Sequence, residues 1–144
     1  MSKGDTFEND WLKLIFNATA IANIADNAAA SPLTQLFVSL HTADPGESGN
    51  QTTSEIAYTG YARVAVNRNS GGWTVTADSV SPAAAITFGQ MTAGSPAGPV
   101  THFGVGTATS GTGKLLYSGT VTPNITVANG VTPQLTTATA ITEA

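Results

Sequence analysis

Tyr61-Ala62-Arg63-Val64-Ala65-Val66-Asn67-Arg68 runs with a period of two. Two residues later Gly71-Gly72 leads into Trp73-Thr74-Val75-Thr76, which repeats that period. Alternation over four to eight residues is the pattern of a half-buried strand, and Gly-Gly is a tight-turn signal. These sixteen residues therefore read as strand, turn, strand.

The same pattern extends in both directions. Upstream, Leu36-Phe37-Val38-Ser39-Leu40-His41 reads as a strand, followed by the turn Asp44-Pro45-Gly46-Glu47 and a polar loop from Ser48 to Glu55. Downstream, Val80 and the run Ala85-Ile86-Thr87-Phe88 are strand-like, with a Gly/Pro-rich loop over 93–99. Thr101 to Thr107, Lys114 to Val121, Asn124 to Val127 and the alternating run Gln134 to Thr142 come next. Roughly seven or eight short, evenly spaced strands with Gly, Pro and Asn turns predict a mainly β chain. The expected architecture is an antiparallel β-sandwich of jelly-roll or immunoglobulin-like topology. Val121-Thr122-Pro123 and Val131-Thr132-Pro133 read as edge positions, where proline is tolerated and blocks unwanted pairing.

The first thirty residues obey a different rule. Asp5 with Glu8 three residues on resembles a capping box. Phe7, Trp11, Leu14, Ile15, Ala18 and Ala22 recur at helical spacing, with Leu12, Phe16 and Ile24 on a second face. The spacing predicts a helix from Thr6 to Ala25, kinked near Asn17-Ala18-Thr19 and buried on more than one side. The expected division is a helical anchor segment over 1–31 and a β-sandwich domain over 32–144. Phe7, Trp11, Leu14, Ile15 and Phe16 are the candidate interface residues.

Composition excludes several function classes. The chain has 144 residues, five Lys+Arg, nine Asp+Glu, a formal net charge of −4 and no cysteine. Charged residues are 10% of the chain, against roughly 25% in an average soluble domain. Thr, Ser, Ala and Gly together make up about half of it. So few cations leave electrostatic binding to nucleic acid little to work with. Without cysteine there is no disulfide scaffold, thiolate metal site or thiol nucleophile. The apolar-looking stretch from Trp11 to Ala30 is broken by Lys13, Asn17, Asn23, Asp26 and Asn27, so no membrane span is expected. No apolar segment comes after Lys3, so no secretion signal is expected. Sparse charge and abundant Thr suit a subunit whose surface is shared with other subunits.

Chemistry-bearing constellations are weak. The glycines around Gly106, Gly111 and Gly113 with Lys114 suggest a phosphate-binding loop, but Ala108 holds the first glycine position and Leu115 the Ser/Thr position. His41, His102 and Asp44 would form a metal site only if folding gathered them. Asp44, Glu47 and Glu55 lie around a polar loop and read as solvated surface. No nucleophile elbow is present. The expectation is no enzyme, no catalytic residue, no metal and no cofactor. Among the aromatics, Tyr58, Tyr61 and Trp73 are core anchors or, alternatively, a stacking surface for sugar rings.

One resemblance covers essentially the whole chain. Gly4-Asp5-Thr6-Phe7-Glu8-Asn9-Asp10 and Leu12-Lys13-Leu14-Ile15-Phe16-Asn17 resemble a family of small virion proteins of tailed bacteriophages. The likeness continues in Leu40-His41-Thr42-Ala43-Asp44-Pro45-Gly46, in Tyr58-Thr59-Gly60-Tyr61-Ala62-Arg63 and in Gly72-Trp73. Thr101-His102-Phe103-Gly104-Val105-Gly106 and Leu116-Tyr117-Ser118-Gly119 extend it. Members are labelled short tail fibre or virion structural proteins. The resemblance implies a structural part of the phage particle, made in the host cytoplasm and located in the virion. The implied partners are other capsid or tail proteins and further copies of the chain, with no nucleic acid and no membrane. Capsid decoration as a cement protein, tail attachment, and a host-surface glycan as ligand are the expectations it leaves open. No repeats, heptads or β-helix periods are present, so the chain reads as a globular unit.

Overall fold

The computed structural model describes residues 5–21 and 33–143. It is mainly β, with antiparallel sheets and one N-terminal helix. The helix is α1 (Asp5–Phe16). The strands are β1 (Gln35–His41), β2 (Val64–Asn67), β3 (Trp73–Thr76), β4 (Ser79–Pro82), β5 (Ile86–Thr87), β6 (Ala97–Gly106), β7 (Leu115–Val127), β8 (Gln134–Leu135) and β9 (Ile141–Thr142).

Two compact units share the chain, and neither is continuous in sequence. One comprises 1–35, 66–85 and 136–144; the other comprises 36–65 and 86–135.

In the first unit, α1 packs on the hairpin β3–β4, and β9 extends the hairpin to a three-stranded sheet ordered β3-β4-β9. Leu12 and Phe16 of the helix and Trp73 and Val80 of the hairpin are all at most 2% exposed. The Phe16 and Trp73 rings meet edge to face at 4.8 Å. Leu12 and Phe16 are one turn apart, so the face read from the sequence as secondary is the one that anchors the helix. The β3–β4 turn, Ala77-Asp78, is held from both sides. Asn9 Nδ2 donates to Ala77 O at 2.6 Å, and the Glu143 amide donates to Asp78 O at 2.8 Å.

The helix ends earlier than its periodicity predicts. At Ala18 the backbone turns left-handed (φ 53°), and the amides of Asn17 and Thr19 both return to Lys13 O. Arg68 closes the end, donating to the carbonyls of Leu14, Ile15 and Leu33. A cation at the last carbonyls of a helix satisfies acceptors that have no partner within it and complements its dipole. The expected residues Ala22, Ile24 and Ala25 lie outside the described residues.

In the second unit, β1, β6 and β7 pair antiparallel, and the four-stranded sheet has the order β2-β1-β6-β7. A second pair joins β5 to β8. Leu36, Val38, Leu40, Val100, Phe103, Val105, Phe88 and Met91 belong to the buried core. Three readings change here. The strands flanking Gly71-Gly72 do not form a hairpin, because β2 lies beside β1 and β3 pairs with β4. The two strands expected between Lys114 and Val127 are one, β7, with Pro123 inside it. The last alternating run is broken into β8 and β9. Strand β7 is at the sheet edge, which is where proline is tolerated. A register shift between Val105 and Gly106 further irregularises its pairing with β6. Bulges and proline are features that protect an edge from further strand addition.

Candidate functional site

The exposed apolar surface of α1 is Phe7 (42% exposed) and Trp11 (38%). They lie one turn apart with ring centroids 6.4 Å from each other. Leu14 and Ile15 are half-buried. Phe16 is not part of this face; it is fully buried against Trp73 and anchors the helix from beneath. The helix thus has a buried side, Leu12 and Phe16, that holds it in place. Its other side presents two aromatic rings to solvent.

The aromatic candidates for sugar stacking are placed differently. Trp73 is 2% exposed and has no open ring face; its indole N–H is buried with no hydrogen-bond partner among the described residues. Tyr58 and Tyr61 are half-buried neighbours in the second unit, with ring centroids 5.3 Å apart. Tyr61 also lies parallel to Phe88 at 6.3 Å. Their hydroxyls are engaged: Tyr58 donates to Gly89 O at 2.8 Å, and Tyr61 donates to Glu55 Oε1 at 2.8 Å. Burial pushes both phenols above the ordinary tyrosine range.

Tyr61 belongs to a polar cluster that no single stretch of sequence reveals. Arg63, 8% exposed, grips Glu55 with two parallel bonds of 2.7 Å and donates to the carbonyls of Ala108 and Gly111. Its bond to Glu55 holds the guanidinium above its usual range. Gln51, fully buried, donates to Phe37 O and accepts from the Ala108 amide. Together these two side chains tie the 42–55 and 107–113 loops to each other and to β1. The glycine-rich stretch with Lys114 therefore serves packing. A Cβ at Gly113 would fall 2.0 Å from Gln51 Oε1, and the next element is the strand β7, with no helix N-terminus for a phosphate.

Ser39 and His41 complete the cluster. The Nδ1–H of His41 donates to Thr53 O at 2.8 Å, so the neutral ring accepts at Nε2 from Ser39 Oγ, also 2.8 Å. Burial holds the imidazole below its usual range. The pair has the spacing of a nucleophile and its base. Both residues are 0% exposed, however, so no substrate reaches the hydroxyl. His41 faces His102 across the β1–β6 pair. Both nitrogens of His41 are already engaged, and among the described residues no group of three or more His, Cys, Asp or Glu could hold a metal ion.

A groove of about 350 Å³ opens in the second unit between the 44–49 loop and the start of β7. Asp44, Glu47 and Tyr117 line it, with Leu115, Leu116 and Ser118. Asp44 and Glu47 meet in this groove, while Glu55 is held by Arg63 and Tyr61.

Comparison with known proteins decides the family. The family model described as Podophage GP4 fiber I protein gp80 matches residues 3–142. The chain belongs to this family. The gp80 fibre family is a phage structural family and not a known enzyme family, so the chain has a structural role in the phage and is a virion component. Membership also carries association with other virion proteins. Among curated proteins no match is found. No helix among the described residues is long and apolar enough to cross a membrane.

Proposed function

We propose that this gp80-family chain is a non-enzymatic surface subunit of a tailed-phage particle, fastened to neighbouring subunits through α1. The observation that carries the reading is the two-sided helix. Leu12 and Phe16 fix it to its own unit, while Phe7 and Trp11 stand exposed one turn apart. Exposed aromatics on a rigid element are the side chains that most often dominate the energy of a subunit interface. Neighbours in the particle, including further copies of the chain, are the partners. Capsid decoration and tail attachment differ in copy number. Quantitative mass spectrometry of purified particles separates them: hundreds of copies indicate decoration, and about three to twelve indicate a tail position. Absence from particles overturns both.

A second reading, a module that binds host-surface carbohydrate, is favoured by the groove. Two carboxylates beside a tyrosine are suited to accept sugar hydroxyls and stack a ring. A glycan array with wild type and Tyr117→Ala tests it. No binding to any host polysaccharide removes it.

A further inference from the structure

Asn129-Gly130 is the one Asn-Gly dipeptide in the chain, and both residues are exposed. Asn-Gly has its own covalent chemistry. The backbone nitrogen of the glycine, once deprotonated, attacks the asparagine Cγ. Ammonia leaves, and a five-membered succinimide closes. Water then opens either ring carbonyl, giving aspartate or, with the backbone rerouted through the side chain, isoaspartate. Glycine favours the reaction because no Cβ obstructs the approach.

The turn both offers and guards this reaction. Beyond the two adjoining residues, no heavy atom lies within 4 Å of where a Cβ of Gly130 would stand, so the turn is uncrowded by the rest of the fold. Yet the attacking nitrogen is engaged, with Gly130 N–H donating to Met91 O at 2.8 Å. Three further bonds fix the turn. Val131 N–H donates to Ala128 O, Met91 N–H donates to Val131 O, and Gln90 Nε2 donates to Gly130 O, each at 2.9 Å.

We propose that Asn129 is a site of spontaneous deamidation gated by opening of the Met91–Gly130 contact. The reaction proceeds only from the fraction of molecules in which that hydrogen bond is broken. Its rate therefore reports local stability at this turn. The product adds a negative charge to a chain already at −4. In the isoaspartyl form it also inserts an extra backbone carbon beside the bonds that join Met91 to Gly130 and Val131.

The test tracks aspartate and isoaspartate at position 129 by peptide mass spectrometry, in the intact folded protein held at mildly alkaline pH. A free peptide spanning 126–133 is the unguarded reference. The expected result is conversion at Asn129 at least about tenfold slower than in the peptide. Conversion should speed up in Gln90→Ala, which loses one turn bond, and vanish from this position in Asn129→Gln. Conversion at the peptide's rate would overturn the gating, as would a Gln90→Ala rate equal to wild type. No product at Asn129 in the urea-unfolded protein, where the Met91–Gly130 contact is open, would overturn the site itself.

Discussion

A Cβ placed on Gly106 would lie 2.2 Å from the Cδ of Gln51, inside the space the buried glutamine already occupies. Gly106 in β6 therefore lets the Gln51 side chain pass over the sheet to reach Phe37 O and the Ala108 amide. Gly106→Ala should destabilise the protein by about 1–3 kcal/mol, since the added methyl must displace a packed side chain. Gln51→Ala should cost about 1–3 kcal/mol, because it removes a fully buried side chain together with its bonds to two partly buried backbone groups. In the double variant the clash disappears, so urea denaturation should give a loss clearly smaller than the sum. Additive losses would mean the two residues do not compete for that space.

The buried imidazole makes stability depend on pH. His41 has a folded-state pKa below that of the unfolded chain, about 6.5, so the unfolded state binds more protons in between. The contribution is fully present above about pH 6.5 and is lost as pH falls from there toward the folded-state value. Denaturation midpoints should therefore fall through mildly acidic pH. In His41→Gln, which keeps a donor and an acceptor but does not titrate, that part of the slope should vanish. An unchanged slope would assign it to other groups.

The two sides of α1 should separate in mutants. Phe16→Ala should cost about 3–5 kcal/mol of fold stability, as expected for a fully buried aromatic. Trp11→Ala, at a side chain 38% exposed, should cost the isolated protein clearly less than Phe16→Ala while reducing incorporation into particles. Thermal melts of the purified variants and particle composition are the two readouts. Equal loss of both with Trp11→Ala counts against an attachment role.

The β3–β4 turn has room for improvement. Ala77 has φ 52° at the first central position of a two-residue turn, a place that favours glycine. Left-handed backbone costs a non-glycine residue about 1–2 kcal/mol. Glycine's extra unfolded-state entropy offsets about 0.4–1 kcal/mol of that. Ala77→Gly should therefore stabilise the protein by about 0.5 kcal/mol, seen as a raised melting temperature. A lowered one would mean the left-handed turn is not strained.

The sequence makes the local elements legible and leaves the long-range choices obscure. Strand β1 is readable from Leu36 to His41 because its apolar residues are consecutive, and the start of α1 is readable from its cap and spacing. Which face of α1 turns inward is not readable, since Phe7/Trp11 and Leu12/Phe16 are equally apolar and only the hairpin bearing Trp73 decides between them. The end of the helix is hidden for a related reason. It depends on Ala18 taking a conformation usual for glycine and on Arg68, more than fifty residues away, reaching the carbonyls of Leu14 and Ile15. The Arg63–Glu55–Tyr61 and Ser39–His41 arrangements give one hint, polar residues amid strands of apolar neighbours, but their carbonyl partners lie in distant loops. The groove is legible only in half: Asp44 and Glu47 stand out beside a Pro-Gly turn, while Leu115 to Ser118 read as ordinary strand.

The interleaving of the two units also has a consequence for synthesis. Residues 36–65 and 86–135 are all synthesised before the last stretch of the other unit, 136–144. During translation α1 and the β3–β4 hairpin emerge early, yet β9, which borders β4 in the finished sheet, arrives last. Newly made chains therefore pass through a stage in which α1 belongs to an unfinished unit. The three-stranded sheet that carries α1 therefore waits on Ile141 and Thr142, and the unit that holds the helix is the later of the two to be finished.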